Sequence, residues 1–471
     1  MPAPAPPPPR PSPSGASPEP AATVETPLGW RDHAAYGAGG VLDRLGAQGL
    51  KDLGNPVFNL ILGINPVLIG WTFVGTRLWD AFTDPLMGAI SDNARTRWGR
   101  RRPFMLAGTL LSALAIVPIF WMPADMGFLA TAAWMSLTGL LFFTAFTIFD
   151  VPYRALAYEL AAGYHGKTQL LAVRTVFAMI AAALIPWIFP LSQSGWLGSP
   201  RESLPWIACG LGVIVLVSGL VPTLLLREPA AQTLVVSRQR QVSFKEGIAT
   251  TLSCRPFIRL LAIGASAILG VNLGFGFGNY VIIYHVYGGD RTAAAPLVGW
   301  YGTAFVAMAL CATPLLTKTA RNIGKRNTLM LALSLSFLGS TFSWWLFSPQ
   351  HPWTSLVVPI LFSPGTVSLW MLGEAMVADV SQLSSERSGV RMEARFSSVF
   401  AWVMKTSTAV AILGSNLLLN LTGFDVQREA GQSAHSVLGI RLIYLALPAA
   451  GFLVALFLLR HYRDHRPAPH A

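Results

Sequence analysis

The chain has 471 residues, of which 53% are hydrophobic and only 12% are charged. Soluble domains usually carry about 25% charged residues, so this composition excludes a globular protein that is solvated on all sides. The mean hydropathy of +0.50 also indicates an integral membrane protein. At roughly 35–40 residues for each span with its loop, the length fits about twelve spans.

The net charge of +12 does not indicate a nucleic-acid partner. The Lys and Arg residues stand in short loops between apolar runs, which is the pattern of the positive-inside rule in membrane proteins. The three cysteines, Cys209, Cys254 and Cys311, lie in or beside apolar runs and lack the spacing of a metal site. No disulfide framework is expected from them.

The N-terminal residues 1–30 are rich in Pro, Ala and Ser and lack the apolar core of a signal peptide. We predict that they form a disordered cytoplasmic tail. Apolar runs follow this tail and predict membrane spans near 34–62, 66–92, 103–122, 128–161, 168–191, 204–226, 256–286, 294–316, 328–347, 354–379, 394–420 and 436–460.

The longest interior gap between these runs, 227–255, divides them into six and six. Two six-span halves joined by a cytoplasmic linker are typical of the major facilitator plan. The predicted fold class is therefore an all-α membrane protein with twelve transmembrane helices in two six-helix bundles. The predicted domains are the bundles 31–226 and 256–460, the linker 227–255 and a cytoplasmic tail at 461–471.

Orientation follows from the basic residues. About 20 Lys or Arg lie in the tails, the linker and the loops on the side of loop 93–102, whereas three lie on the other side: Arg201, Arg291 and Arg428. The positive-inside rule therefore places both termini in the cytoplasm, and an even number of spans requires them to share a side. We expect a monomeric, multi-pass protein of the cell (inner) membrane that contacts membrane lipid.

Span 2 carries charges that a lipid-facing helix would not hold, because each costs roughly 2.5–3.5 kcal/mol in a membrane. Asp80 and Asp84 are four residues apart and share a helix face with Arg77. The two carboxylates repel each other unless a cation or a proton lies between them. With the nearby hydroxyl of Thr83, they form an oxygen site that suits a hard cation such as Na+. The alternative is an internal Arg77–Asp80 lock with no transported ion.

Span 4 contains Asp150 and Arg154, which are four residues apart and can form an ion pair. Pro152 between them removes a backbone hydrogen bond and predicts a kink. Broken helices near the middle of the membrane are common where transporters bind substrate. A purely structural salt bridge is the alternative interpretation of the same two residues.

Other spans also contain polar residues. Span 1 is so polar that it must line a wet cavity or pack against other polar helices. A Trp beside buried polar groups can stack on a sugar face, and an unpaired ammonium such as Lys405 needs an acid or the substrate as its partner. The polar and aromatic candidates in spans 1, 5, 10 and 11 are Asp43, Arg44, Lys51, Asp52, Asn55, Arg174, Trp370, Glu374 and Lys405.

The sequence contains no Walker lysine loop, zinc signature or nucleophile elbow, so we expect no enzyme activity and no cofactor. The Arg-rich loop 93–102 follows Asp92 directly. We expect this loop to form a cytoplasmic latch between the bundles in the outward-facing state. The expected gating residues are Arg77, Asp92, Arg97 and Arg100.

The segment RLWDAFTDPLMGAISDNARTRWGRRRPF resembles the span 2 and loop 2–3 signature of the glycoside–pentoside–hexuronide:cation symporters, of which the melibiose permease is the best-known member. The resemblance covers most of the chain from Tyr36 onward. A looser match, ADVSQLSSERSGVRMEARFSSVFAWVMK, follows in the expected order. The resemblance implies twelve helices in two bundles, with alternating access around a central site.

The resemblance also implies roles for residues at matching positions. Asp80 and Asp84 match two cation-binding carboxylates, and Thr147 matches a hydroxyl of the same cation site. Thr83 stands where the melibiose permease has Asn, so the cation preference stays open. The matching solute-site positions are Asp150, Arg174, Trp370 and Lys405.

Three departures from the melibiose permease change the predicted pocket. Asp43-Arg44 stands where that protein has Lys-Asp, Phe146 replaces a Tyr, and Arg154 replaces a Trp. The pocket thereby gains positive charge and loses stacking surface. These changes suggest a different sugar, such as an anionic hexuronide, or a non-sugar ligand.

We therefore predict a symporter that couples Na+ or H+ entry to uptake of a sugar, glycoside or hexuronide. The transported monovalent cation is the only metal expected, and a carbohydrate-like small molecule is the expected partner. Fold kinship alone does not name a substrate. The alternatives are a proton-coupled carrier of a non-sugar solute and a transporter-like sensor that binds ligand without moving it.

Overall fold

The computed structural model describes residues 28–123, 125–160, 163–226, 254–388 and 393–462. The predicted N-terminal tail up to residue 27, the linker from 227 to 253 and the C-terminal tail from 463 lie outside these residues. All regular secondary structure in the described ranges is helical. The prediction of an all-α chain is therefore confirmed for this part of the protein.

The first half of the chain contains six long helices, which are α1 (Trp30–Arg44), α2 (Pro66–Asn93), α3 (Arg102–Phe120), α4 (Phe128–Leu160), α5 (Gly163–Leu184) and α6 (Pro200–Leu225). The long helices of the second half are α7 (Arg255–Phe275), α8 (Arg291–Ile323), α9 (Lys325–Leu346), α10 (Val357–Ser388), α11 (Glu393–Leu421) and α12 (Ala434–Arg460).

Ten of these helices, α3 to α12, are long and apolar enough to cross a membrane. The helix α2 has 28 residues and a length of about 42 Å, which exceeds the roughly 30 Å of a bilayer core. Its charged residues set it apart from the ten in composition. The helix α2 is long enough for a span, but its charged residues are typical of a helix that faces polar surroundings.

Local signals explain where several helices begin. Asn65 accepts a hydrogen bond from the Val67 amide at 2.9 Å, and Pro66 occupies the first helical position of α2. At the start of α6, Ser199 and Glu202 bond to each other's backbone amides in a capping box. These caps stabilise the helix starts in the loops before α2 and α6.

Three helices are interrupted or extended by irregular turns. The helix α1 continues through π-helical turns at Leu45–Gly49 and Gly54–Asn59. The helix α5 passes through a 3₁₀ turn at Ile185–Trp187, and α7 continues into a π-helical turn at Val281–Val286. Such turns often mark functional sites.

The helix α4 continues through Pro152 without a break from Phe128 to Leu160, and the kink expected there stays a prediction. A proline removes one backbone hydrogen bond, and a helix can bend at that point without ending. The irregular turns lie instead in α1, α5 and α7.

The helices of each half pack mainly on one another. In the first half, α1 packs on α5 and α6, α3 packs on α4 and α6, and α2 packs on α4. In the second half, α7 packs on α11 and α12, α9 on α10 and α12, and α8 on α10. Each half has its own hydrophobic core.

The halves meet where α2 packs on α11 and where α5 packs on α8. Glycines allow this approach, because a Cβ atom on Gly299 would lie 3.0 Å from the Trp187 ring and one on Gly70 would lie 3.1 Å from Leu413. We call the end of the molecule with loops 60–65 and 194–199 the distal end, and the opposite end, which begins with α1, the proximal end. The contacts between the halves at Gly70 and Gly299 lie toward the distal end.

We predict that Gly108→Leu destabilises the protein, because a Cβ atom at Gly108 of α3 would lie 2.8 Å from the Ile148 carbonyl carbon of α4. Overpacking of this kind typically costs about 1–3 kcal/mol. The matched control is Gly210→Leu in α6, where a Cβ atom would meet open space. Thermal denaturation in detergent should show a clear loss for the first variant and little change for the second; equal losses would contradict the packing of α3 on α4.

Candidate functional site

The α2–α4 interface joins two predicted cation ligands. The Thr147 hydroxyl on α4 donates a hydrogen bond to Asp84 Oδ1 on α2 at 3.1 Å. Thr147 is buried, so its hydroxyl is held in place by packing. A carboxylate and a hydroxyl from adjacent helices thus provide oxygen atoms at one point, and hard cations prefer oxygen ligands.

Only one carboxylate oxygen of Asp80, one turn before Asp84, has a hydrogen-bond partner in the described structure. Its Oδ2 accepts a hydrogen bond from Arg77 Nη1 at 3.1 Å, and Arg77 also donates to the Ala47 carbonyl at 2.6 Å. Asp80 Oδ1 is buried and has no hydrogen-bond partner in the described structure. Arg77 therefore engages one carboxylate oxygen and leaves the other, which is costly to bury alone, for another partner.

Thr83 is buried beside this pair, and its hydroxyl donates to the Trp79 carbonyl of the same helix at 3.1 Å. The Trp79 indole in turn donates to Thr144 at 2.8 Å. The hydroxyl proton of Thr83 is therefore used within α2. Any role for Thr83 in cation binding would rest on the lone pairs of its oxygen.

A second network joins α1, α4 and α5. Asp43 accepts hydrogen bonds from Arg154 Nη2 at 2.7 Å and from Arg174 Nη2. Arg154 Nε donates to Asp150 Oδ1 at 2.8 Å. Asp43 and Asp150 are buried, whereas the Arg154 side chain is 46% exposed. Asp43 is thus a hub that holds two guanidinium groups in place, and one of them still presents donors to the surroundings.

Two stacked tyrosines, which the sequence did not single out, support this network. The rings of Tyr36 and Tyr153 lie 4.6 Å apart, and the Tyr153 hydroxyl donates to the Tyr36 carbonyl at 2.6 Å. The Arg174 guanidinium lies 5.9 Å from the Tyr153 ring. Gly40 allows α5 to approach, because a Cβ atom there would lie 2.6 Å from the Arg174 carbonyl oxygen. The glycine-rich stretch of α1 was the available sequence signal for this packing.

Two predicted solute residues lie apart from the network. Phe146 is buried, stacks on Phe142 with ring centroids 6.5 Å apart, and packs against Gly46 in the core of the first half. Arg44 pairs with Asp52 at 2.9 Å and not with the neighbours of Asp43. Successive helical residues point about 100° apart, which explains why adjacent charges have different partners.

The second half contributes Trp370, Glu374 and Lys405, and all three side chains are exposed. None of them makes a hydrogen bond or salt bridge with another residue that the structure describes. Lys405 lies near enough to Asp80 for its charge to act on that carboxylate. Lys405 on α11 and Asp80 on α2 thus come from the two helices that pack together between the halves.

The predicted gating residues at the proximal end bind within the first half. Arg100 and Arg101 both donate to Glu159 at the end of α4, and Arg101 also lies 3.3 Å from Asp92. Arg97 is exposed and makes no hydrogen bond to a described residue. Asp92 and Arg100 therefore have partners within the first half, and the latch expected in the outward-facing state stays a prediction. Sequence reasoning did not single out Glu159.

The start of α9 repeats the pattern found at the start of α3. Arg102 donates to the Thr223 carbonyl at the end of α6 at 2.8 Å. Arg326 donates in the same way to the Leu459 carbonyl at the end of α12 at 3.1 Å. Cations near the C-terminus of a helix stabilise its last carbonyl groups. This recurrence indicates that the halves are structural repeats.

A helical membrane protein with buried, partly satisfied carboxylates and facing charges between two repeats has the features of a secondary transporter. The chain matches the MFS/sugar transport protein family over residues 49–463 and belongs to that family. The resemblance to the glycoside–pentoside–hexuronide:cation symporters is thereby confirmed. The family and its named members are transporters, so the protein is a transporter and not an enzyme.

Two relatives and one solved structure illustrate the similarity. The chain is 23% identical to the isoprimeverose transporter of Lactiplantibacillus pentosus over 410 residues, which are 87% of this chain and 83% of the relative. It is 24% identical to a glucuronide carrier protein homolog of Escherichia coli over 439 residues, or 92% of each chain. A variant of the nucleoside transporter NupG has the same fold, with a TM-score of 0.66 at 15% identity, covering 92% of this chain and 100% of that one.

We predict that Asp43→Asn destabilises the folded protein by about 1.5–3 kcal/mol, because it weakens the charge-assisted hydrogen bonds that the buried Asp43 accepts from Arg154 and Arg174. Asp52→Asn is the matched control, since Asp52 pairs with Arg44 alone and both side chains are partly exposed; such pairs contribute about 0–1 kcal/mol. Denaturation of the purified proteins in detergent measures both losses. Equal stability of the two variants would contradict the role of Asp43 as a hub.

Proposed function

We propose that this protein is a secondary active symporter that couples the entry of Na+ or H+ to the uptake of a sugar, glycoside or hexuronide. The observation that carries the proposal is the α2 carboxylate pair. Asp84 is bonded to Thr147, while Asp80 keeps one buried oxygen without a partner. The names of the relatives that carry isoprimeverose and glucuronides support the class of solute.

We propose that α1 and α2 cross the membrane together with the ten more apolar helices, giving two six-helix bundles. The matching Arg102 and Arg326 contacts support a repeat of six helices. The density of Lys and Arg in the proximal loops supports cytoplasmic termini in the cell membrane. With this orientation, the distal end faces the outside.

In this orientation the structure corresponds to an inward-open carrier. The halves pack together toward the outer end, at Gly70 and Gly299, and this packing closes the carrier on that side. Alternating access requires the opposite arrangement in the outward-open state. Asp80 and Lys405, which face each other without a salt bridge here, would approach when the inner end closes.

The coupling mechanism follows from the placement of residues on α4. Thr147 donates a hydrogen bond to Asp84 on the proposed cation-binding face of α2. Asp150 and Arg154 lie one and two turns further along α4. A cation that neutralises Asp80 and Asp84 allows α2 to pack closely on α4. This packing fixes the position of Asp150 and Arg154 for the solute. By linkage, solute binding must raise cation affinity by the same factor.

The solute would bind between the halves. The network of Asp43, Asp150 and Arg174 fixes the partly exposed Arg154, whose remaining donors can bond hydroxyl or carboxylate oxygens. From the other half, Trp370 offers a stacking surface, and Glu374 and Lys405 offer polar groups; all three are exposed. Donors, acceptors and an aromatic face together suit a hydroxyl-rich solute.

We predict that Asp84→Ala abolishes cation-driven concentrative uptake and leaves the protein inserted in the membrane. The variant removes the carboxylate that joins the cation to Thr147. A thermal-shift screen against sugars, glycosides and uronic acids, with and without Na+, would first supply a solute for uptake into proteoliposomes. The initial rate of cation-driven uptake should fall at least about tenfold, which is the effect of losing one charge-assisted hydrogen bond.

The control for this experiment is Asp52→Asn, which removes another carboxylate of the first half outside the cation site. It should retain coupled uptake. Unchanged concentrative uptake by Asp84→Ala would refute the proposed coupling site. Counterflow that depends on pH but is insensitive to Na+ and Li+ would identify the coupling ion as the proton, in line with the second candidate, a proton-coupled carrier.

A further inference from the structure

Lys51 lies on the extension of α1, and its side chain reaches the second half. Its Nζ donates a hydrogen bond to Asn272 Oδ1 on α7 at 2.9 Å. The amide nitrogen of Asn272 donates to the Ile268 carbonyl of its own helix at 2.9 Å, so the orientation of the Asn272 side chain is fixed. The ammonium of Lys51 therefore lies between the halves, where its partner is a neutral amide oxygen.

No carboxylate forms a salt bridge with Lys51 in the part of the chain that the structure describes. Asp52 is near enough for its charge to act on Lys51, but its Oδ2 is bonded to Arg44 at 2.9 Å. The charge of Arg77 also acts on Lys51, and Arg77 is paired with Asp80. Two neutral ion pairs therefore lie beside Lys51, and its own positive charge is in excess.

The excess charge of Lys51 has an energetic cost, because the ammonium has lost part of its hydration and a neutral amide replaces water only in part. An ammonium carries three donors, and Asn272 accepts from one of them. The other two have no partner among the residues that the structure describes. The side chain is only partly buried, so a small molecule can reach these donors.

The position of Lys51 along its helix relates it to the network around Asp43. The two residues are eight apart in the chain, and the π-helical turn Leu45–Gly49 lies between them. A π-helical turn takes about one residue more than an α-helical turn, so the separation corresponds to about seven α-helical positions, or two full turns. Lys51 therefore lies on the same side of the helix as Asp43 and about 10 Å further along it.

The arginines of that network differ from Lys51, because they already have carboxylate partners. Arg174 is bonded to Asp43, and Arg154 is bonded to both Asp43 and Asp150. An anion that bound to these arginines would compete with carboxylates of the protein. At Lys51, in contrast, an anion would balance an excess charge without breaking an ion pair. Lys51 is thus the counterpart of the α2 carboxylates, since they need a cation and it needs an anion.

We propose that Lys51 determines the specificity of the carrier for an anionic solute, and that it binds the carboxylate of a uronic acid or of a uronic-acid glycoside. This inference rests on the proposed symporter function and narrows its solutes to those with a carboxylate. Asn272 is a positioning residue that holds the Lys51 ammonium between the halves. The loaded carrier is balanced at both sites, because the cation offsets the α2 carboxylates and the solute offsets Lys51.

The test compares acids with their neutral counterparts in equilibrium binding to the purified full chain in detergent, at constant pH and in the presence of Na+. The probes are glucuronate with glucose, galacturonate with galactose, and methyl glucuronide with methyl glucoside. Isothermal titration calorimetry measures the dissociation constants. At least one acid should bind more tightly than its neutral counterpart by at least about tenfold, the effect of one charge-assisted hydrogen bond.

Two substitutions at Lys51 separate its charge from its structural role. Lys51→Gln keeps a donor for Asn272 and removes the positive charge, so the acid should lose its at least tenfold advantage while binding of the neutral sugar changes less than about twofold. Lys51→Arg keeps the charge and should retain the preference for the acid. Thermal denaturation of both variants verifies that they are folded.

The matched control is Lys318→Gln, which removes the ammonium of an exposed lysine on α8 and should leave the acid preference unchanged. The proposal is overturned if no acid binds more tightly than its neutral counterpart, if the preference survives Lys51→Gln, or if Lys318→Gln abolishes it equally. Tighter binding of glucose 6-phosphate than of every acid would overturn the assignment of a carboxylate. Binding in detergent does not depend on coupled uptake, so a failure at Lys51 leaves the result for Asp84→Ala unaffected.

Discussion

A carboxylate inside a membrane needs a counter-charge, and the carboxylates of Asp43 and Asp52, on α1 and its extension, pair with arginines. Asp43 is bonded by two arginines, and Asp52 by one. The pair on α2 differs, because Asp80 keeps a buried oxygen without a partner and Asp84 has only a neutral hydroxyl. In the described part of the first half, Asp43 and Asp52 are thus paired with arginines, whereas the α2 pair is incomplete. In our account, the transported cation completes it, and the cycle depends on that step.

The two proposed sites communicate through one helix. Thr147, Asp150 and Arg154 follow one another on α4 at helical spacing, so the residue that contacts Asp84 and those that we propose to bind the solute belong to the same helix. No distant pathway is needed to couple them. Toward the distal end, in contrast, α1 and the extended α7 meet through single hydrogen bonds that water can replace. Alternating access requires a rigid link between the two sites and a contact between the halves that can open.

Much of the fold followed from the sequence, because apolar runs and basic loops report directly on insertion in a membrane. The α2 signature also predicted the family, and helical spacing predicted the Arg77–Asp80 and Asp150–Arg154 pairs, which are local. The contact between the distant residues Arg174 and Asp43 was not predicted, since the resemblance only placed Arg174 at the solute site. The contacts of Glu159 with Arg101 and of Tyr280 with Asn59 were not predicted, because they depend on tertiary packing. The kink expected at Pro152 stays a prediction, although α4 continues through that residue.

The central claim is that the α2 carboxylate pair binds the coupling ion. It is tested most directly by equilibrium binding to purified protein, with ²²Na+ for sodium and proton exchange in weakly buffered solution for H+. The account predicts one cation bound per chain in the wild type and none when Asp80→Asn and Asp84→Asn are combined. Undiminished cation binding by that folded double variant would contradict the account.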